Sequence, residues 1–286
     1  MAPFFVYLGL PPLPITPSLP KLIGTARLRS LGGLAALGAA LLLAAGLLRL
    51  HPATPSARAL AAYATDLSQR TPHQRFNARR AAAALDGVTV APGKIFSFNR
   101  AVRGWSADQG FLRAPVSYDG VLVDDYGGGV CETSTTVYNA ALRAGLPILE
   151  RHAHTFAPGY APPGRDAAVA YAGVDLRFRN PYPQTLTLRV RPEGHRLVCR
   201  IEASRGVGGD GARVVVRSEI LDRFAAAPAP VRPGAGARRS RWHPLGRDGV
   251  RVAVYRDYYE GERCVRRESV SDDTYRPISR AEWMMP

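Results

Sequence analysis

Gly127-Gly128-Gly129-Val130-Cys131-Glu132-Thr133-Ser134-Thr135-Thr136-Val137-Tyr138-Asn139-Ala140-Ala141-Leu142-Arg143-Ala144-Gly145 is the stretch on which the reading of this sequence turns. Three glycines permit backbone angles and close approaches that a Cβ forbids. From Glu132 to Ala144 the spacing predicts a helix, stopped by Gly145. Val137, Tyr138, Ala141 and Ala144 mark its inner face, with Cys131 in the first turn beside that face. A thiol there feels the positive end of the helix dipole and N–H groups that lack helical acceptors. Those surroundings favour thiolate, and the same N–H groups can stabilise an oxyanion. The position suits a nucleophile. The plainer alternative is a small residue buried at a helix start.

A nucleophilic cysteine also needs a base and a group that orients the base. Glu150-Arg151-His152-Ala153-His154-Thr155 follows the helix and reads as the start of a strand, with His152 and His154 on one face. His154 is the preferred base and His152 the alternative. Gly164-Arg165-Asp166-Ala167 and Gly173-Val174-Asp175-Leu176 offer Asp166 or Asp175 as the orienter. The simpler readings are that one histidine bonds backbone, that Asp166 holds a turn after Pro162-Pro163-Gly164, and that Asp175 pairs with Arg177 or Arg179. Helix-borne Cys, then His, then Asp is the chain order of papain-like and transglutaminase-like folds, which is an analogy of arrangement. Cys131, His152, His154 and Asp166 are also conceivable metal ligands. His-x-His alone is a weak sign, however, and neither metal nor other cofactor is expected. Glu132 with Asp124-Asp125 offers carboxylates for glycan hydrolysis; two adjacent acids before a glycine loop read more simply as a solvated turn.

Outward from this segment, the chain divides into four parts. Residues 1–30 are Pro-rich and carry Lys21, Arg27 and Arg29. The uncharged run Leu31 to Leu48 is just long enough to cross a hydrocarbon core about 30 Å thick. The preceding cations favour a cytoplasmic N-terminus and an extracytoplasmic remainder. A single-pass anchor over 31–50 is expected, with a cleaved signal peptide as the competitor. A short linker, Pro52 to Ser56, leads into a domain over 57–205. Residues 57–85 are expected as helix, with Leu60, Tyr63, Ala64 and Leu67 on one face, broken at Thr71-Pro72 and resumed from Asn77 to Leu85. Val88 to Asn99 reads as two short strands around Pro92-Gly93. Thr185 to Val190 and Leu197 to Ile201 read as a hairpin, and Arg213 to Leu221 and Val250 to Tyr258 as further strands. Residues 206–286 form a β-rich extension with a mobile loop at 225–241.

At 286 residues and 46% hydrophobic composition, the chain can build a core. The net charge of +15 points to anionic surroundings. No zinc-finger spacing, basic-zipper pattern or aromatic RNA-binding signature accompanies it, so no nucleic-acid partner is expected. Cys131, Cys199 and Cys264 exclude a disulfide-rich scaffold. If Cys199 pairs with Cys264, Cys131 is the free thiol.

In these residues the sequence resembles the VanW-like family: Asn77 to Asp86, Pro92 to Asn99, Gly127 to Cys131, Ser134 to Leu142, Arg151 to His154 and Gly164 to Ala167, over about 76–205. Several separate motifs fall in the expected order. The resemblance implies a bacterial envelope protein of the kind associated with vancomycin-resistance clusters. Members usually carry Gln after the Cys, where this chain has Glu132. An α+β fold is expected, with two or three helices on an antiparallel sheet. The leading functional expectation is a protein that acts on or binds peptidoglycan peptides. Cys131 would be nucleophile, His154 base, and Asp166 or Asp175 orienter, with Gly128, Gly129, Glu132, Ser134 and Tyr126 as ligand contacts. The other class is a non-catalytic wall-binding or scaffold module, in which Trp105, Phe111 and Tyr126 line a groove. Peptidoglycan or another anionic wall polymer, and the membrane through the N-terminal helix, are the expected partners.

Overall fold

The computed structural model describes residues 58–118, 121–171, 173–203, 212–226 and 246–278. The expected anchor over 31–50, the Pro-rich segment before it and most of the loop 225–241 lie outside the described residues. Among the described residues, no helix is long and apolar enough to cross a membrane.

The fold is α+β, with a few helices and a majority of antiparallel strands. In chain order it runs β1 (Arg58–Asp66), α1 (Pro72–Leu85), β2 (Thr89–Val90), β3 (Ile95–Ser97), α2 (Phe98–Val102), β4 (Arg113–Tyr118), β5 (Val121–Tyr126) and α3 (Val130–Arg143). Then follow β6 (Ile148–Glu150), β7 (Arg177–Arg179), β8 (Leu186–Glu193), β9 (Arg196–Ala203), β10 (Ala212–Phe224), β11 (Gly249–Glu260) and β12 (Arg263–Tyr275). Four sheets result, in the orders β1-β9-β8-β2, β3-β7-β6, β4-β5 and β10-β11-β12.

Local chemistry explains the boundaries. Thr71 caps α1: its hydroxyl accepts from the Gln74 N–H, and the Gln74 side chain returns the bond to the Thr71 N–H. Pro72 stands at the first helical position, where its missing N–H costs nothing. The helix expected before it is instead strand β1, paired antiparallel with β9 from Arg58↔Ala203 to Asp66↔Arg196. Its alanines carry no strong period of their own, so the free edge of β9 decides their conformation. The β8–β9 hairpin forms where alternation and Gly194 place it. Strands β2 and β3 flank Pro92-Gly93, but they enter different sheets, with β8 and β7 respectively.

Helix α3 lies at the centre. Packed against α1, β1 and β9, it is buried from Glu132 through Leu142. Around it the core gathers Leu67, Leu85, Phe98, Tyr138, Leu142, Leu176, Phe178, Leu188 and Ile201. A smaller cluster of Ala157, Val250, Val252 and Tyr275 lies beneath β11 and β12. All three cysteines are free. The Cys199–Cys264 pairing does not form, because Cys199 is buried on β9 and Cys264 is exposed on β12.

Candidate active site

The glycines before α3 are fixed by what they touch. Gly129 is the helix N-cap at φ 107°, and a Cβ there would overlap the Gln74 carbonyl. Gly127 sits at φ 85°, where a Cβ would enter the Trp105 ring. Asn77 of α1 locks this loop: its amide donates to the Leu112 and Gly128 carbonyls at 2.8 and 2.9 Å, and its oxygen accepts the Leu112 N–H at 2.8 Å. Cys131 is thereby held half-buried in the first turn, with Sγ 3.5 Å from the Val169 carbonyl. Among the described residues, no acceptor is assigned to the Cys131 N–H, which leaves it available to an oxyanion.

The rest of α3 holds the acid. Asn139 accepts from Arg165 Nε and donates to the Arg165 carbonyl at 2.6 Å. Thr135 Oγ1 accepts the Ala167 N–H at 2.9 Å, and Ser134 Oγ donates to the Ala167 carbonyl at 2.6 Å. Asp166, between those two residues, is fully buried. Its Oδ2 accepts both the His154 N–H at 2.8 Å and His154 Nδ1 at 2.6 Å. His154 lies close enough to Cys131 for imidazole and thiol to shift each other's ionisation, while the hydrogen bond that Sγ itself donates runs to the Val169 carbonyl. One helix therefore carries the thiol and clamps the carboxylate that orients the imidazole.

The protonation equilibria follow this geometry. Burial opposes ionisation of Cys131, but the hydrogen bond and charge of His154 outweigh it and hold the thiol below its ordinary value. Burial would likewise depress His154. Its bond to Asp166, then the bond and charge of Cys131, raise it instead. Asp166 is kept below the usual carboxylate range, against the cost of burial, by His154, Arg151 and Tyr275. The pair is thus biased toward thiolate and imidazolium.

The other expected residues have partners of their own. His152 lines the cleft as well, half-buried, with Nε2 3.1 Å from Glu150. Asp175 is taken up by Ser97 Oγ at 2.5 Å and the Asn99 and Leu176 N–H groups, so it fastens the start of α2 and is not paired with Arg177 or Arg179. Ser134 faces the Ala167 carbonyl, while Phe111 is buried in the core. Asp124 is exposed on β5 beside Arg113. Among the described residues, no group of three or more His, Cys, Asp or Glu is arranged to hold a metal.

A cleft of about 680 Å³ opens over Cys131 and His154. Gly128, Gly129, Glu132 and Tyr126 line it together with Trp105 and Tyr160. Sequence reasoning passed over Arg70 and Tyr160. The Tyr160 ring stands edge-on to His154, 6.4 Å between centroids, and the Arg70 guanidinium lies 5.0 Å above it. Arg70 Nε also pairs with the buried Glu132 at 2.7 Å. No motif marks an arginine and a tyrosine 90 positions apart as neighbours.

Comparison with known proteins gives a consistent picture. The family model described as VanW like protein matches residues 73–202, a span that contains Cys131, His154 and Asp166. The chain is 36% identical over 149 residues to the Uncharacterized protein YoaR of Bacillus subtilis, covering 52% of this chain and 49% of that one. It is 28% identical over 135 residues to the Vancomycin B-type resistance protein VanW of Enterococcus faecalis, covering 46% and 49%. The chain spans about half the length of the curated relatives it matches. No solved structure matches.

Proposed function

Since this chain belongs to the VanW-like family through residues 73–202, we propose that it is a cell-envelope protein that cleaves or transfers acyl groups of peptidoglycan peptides with Cys131, His154 and Asp166. The observation that carries the reading is the His154 Nδ1 to Asp166 contact of 2.6 Å, with His154 and Cys131 lining the same cleft. This is the nucleophile, base and orienter relation that covalent catalysis requires.

In this mechanism His154 holds the Cys131 proton, and the thiolate attacks the carbonyl carbon of an amide in the cleft. A C–S bond forms, and the carbonyl electron pair moves to oxygen beside the Cys131 N–H. As the oxyanion collapses the C–N bond breaks, and His154 returns its proton to the leaving amine. Water or an acceptor amine, deprotonated by His154, then attacks the thioester and frees Cys131. Asp166 stays ionised throughout and holds the imidazole. The aromatic walls of Trp105, Tyr126 and Tyr160 suit a peptide laid along the cleft.

Residues 31–50 would tether the domain to the membrane, with the bulk of the chain outside, and the charge of +15 would favour the anionic wall. Glu132 does not oppose the oxyanion as strongly as a solvated carboxylate would. Burial raises its pKa to about 7, against the attraction of Arg70.

The test is turnover. Full-length protein incubated with peptidoglycan stem peptides is expected to yield new amide termini or transfer products by mass spectrometry, and Cys131→Ala to yield none while melting as the wild type does. Equal product from that variant would remove the catalytic reading. Peptide binding without product in the wild type would support a non-catalytic wall-binding module.

A further inference from the structure

The family match ends at residue 202, yet the hydrogen-bond network around Asp166 does not. Arg151 is almost fully buried and grips acceptors on three residues, Asp166, Asp273 and Tyr275. Nε donates to the Asp166 carbonyl at 2.6 Å, Nη2 to Asp166 Oδ1 at 3.0 Å, and Nη1 to the two oxygens of Asp273 at 2.7 and 2.6 Å. Tyr275, 1% exposed, donates its hydroxyl hydrogen to Asp166 Oδ1 at 2.5 Å. The Tyr275 hydroxyl oxygen accepts the Gly164 N–H at 2.9 Å and an Arg151 hydrogen at 3.2 Å. Asp273 and Tyr275 stand two apart on β12 and so share a face. Their register is set by β11, with Val252↔Asp273 and Val250↔Tyr275. The segment that carries His154 and Asp166 is seated on these strands. Gly164 packs against Val252 and Val254 too closely for a Cβ, and the Thr155 carbonyl accepts the Arg276 N–H at 2.9 Å.

We infer that Tyr275 and Asp273, in the C-terminal sheet beyond the family domain, are positioning residues of the Cys131–His154–Asp166 site. Tyr275 and the Asp273-anchored Arg151 hold Asp166 Oδ1, which leaves Oδ2 aimed at His154. The inference rests on the proposed triad and adds that the matched domain alone is an incomplete site. Neither residue touches substrate. Each acts by fixing the carboxylate plane that orients the imidazole.

The experiment measures the pH dependence of iodoacetamide alkylation of Cys131 in the full chain. Cys264 is replaced by Ser, because it is an exposed second thiol. With Asp166 correctly held, the thiolate midpoint is expected below the ordinary thiol value of about 8.5. Tyr275→Phe, which keeps the ring and loses only the hydroxyl, is expected to raise that midpoint by about one pH unit, a tenfold loss of thiolate near pH 6. Arg151→Lys keeps the charge but not the three-point grip, and is expected to do the same. Thr274→Ala, exposed on the same strand, is expected to leave the midpoint in place. A purely structural role for β12 would lower the melting temperature without moving the midpoint. If the wild type titrates low and both Tyr275→Phe and Arg151→Lys titrate with it, the positioning claim falls and the triad stands. If the wild type titrates as an ordinary thiol, the triad itself falls. Should Tyr275→Phe fail to fold, Arg151→Lys decides alone.

Discussion

Glu132 and Asp166 are both sealed from water, and they titrate in opposite directions. Asp166 accepts four side-chain or backbone hydrogens and remains ionised. For Glu132 the contacts of Arg70 and Thr65 do not offset burial, and its carboxyl is raised from 4.5 to about 7. A raised carboxyl is protonated in the fold at pH values where the unfolded chain has lost the proton. Its stabilising contribution is therefore complete below about pH 4.5 and disappears as pH rises through 7. Glutamine mimics the protonated form, so Glu132→Gln is expected to be more stable than wild type at pH 8 by about 2–3 kcal/mol, and equal to it near pH 4.5. Denaturant unfolding at the two pH values checks this. A wild type whose stability relative to the variant does not change with pH would contradict it. At His154 the expectation concerns chemistry: His154→Asn removes both base and counterion, and burial then governs Cys131. Labelling of that thiol at pH 6 should fall at least about tenfold.

At the scale of elements, α3 and the glycine loop before it do most of the placing. Asn77→Ala is expected to leave the Gly128 carbonyl and the Leu112 N–H without their partner, the Leu112 carbonyl keeping the Gly127 N–H, at a cost of roughly 2–3 kcal/mol in chemical denaturation. Unchanged stability would mean that the loop does not depend on α1. The glycine run, the helix after it and the His154–Asp166 candidates were legible in the sequence, because turn chemistry, helical period and residue type all agree there. Asp166 could not be separated from Asp175 by sequence, because the use of Asp175 at the start of α2 depends on tertiary neighbours, as does the contact of His152 with Glu150. Strand β1 was misjudged because alanine-rich segments follow the edge they meet. The reading also missed the β4–β5 hairpin and β12. The last of these supplies Asp273 and Tyr275 from more than 100 residues away, with no motif to mark them.

Taken as a whole, the described residues between 58 and 278 belong to one compact unit, which includes both the β10-β11-β12 sheet and the segment matched by the family model. Val254 is fully buried and packs on Gly164 beside the site. Val254→Ala is expected to cost about 1–2 kcal/mol, and to lower one shared unfolding transition seen by both far-ultraviolet dichroism and tryptophan fluorescence. Two separated transitions would show the sheet to be an independent appendage. The glycine loop, the buried helix and the C-terminal sheet meet around Cys131, His154 and Asp166, and the proposed chemistry turns on the ionisation of Cys131. The most direct measurement is therefore the ultraviolet thiolate absorbance of the full chain minus that of Cys131→Ser, followed across pH. The account predicts a single thiolate appearing well below about pH 8.5 and vanishing from that range in His154→Asn. A difference spectrum that rises only at or above that value, and is indifferent to His154, would contradict it.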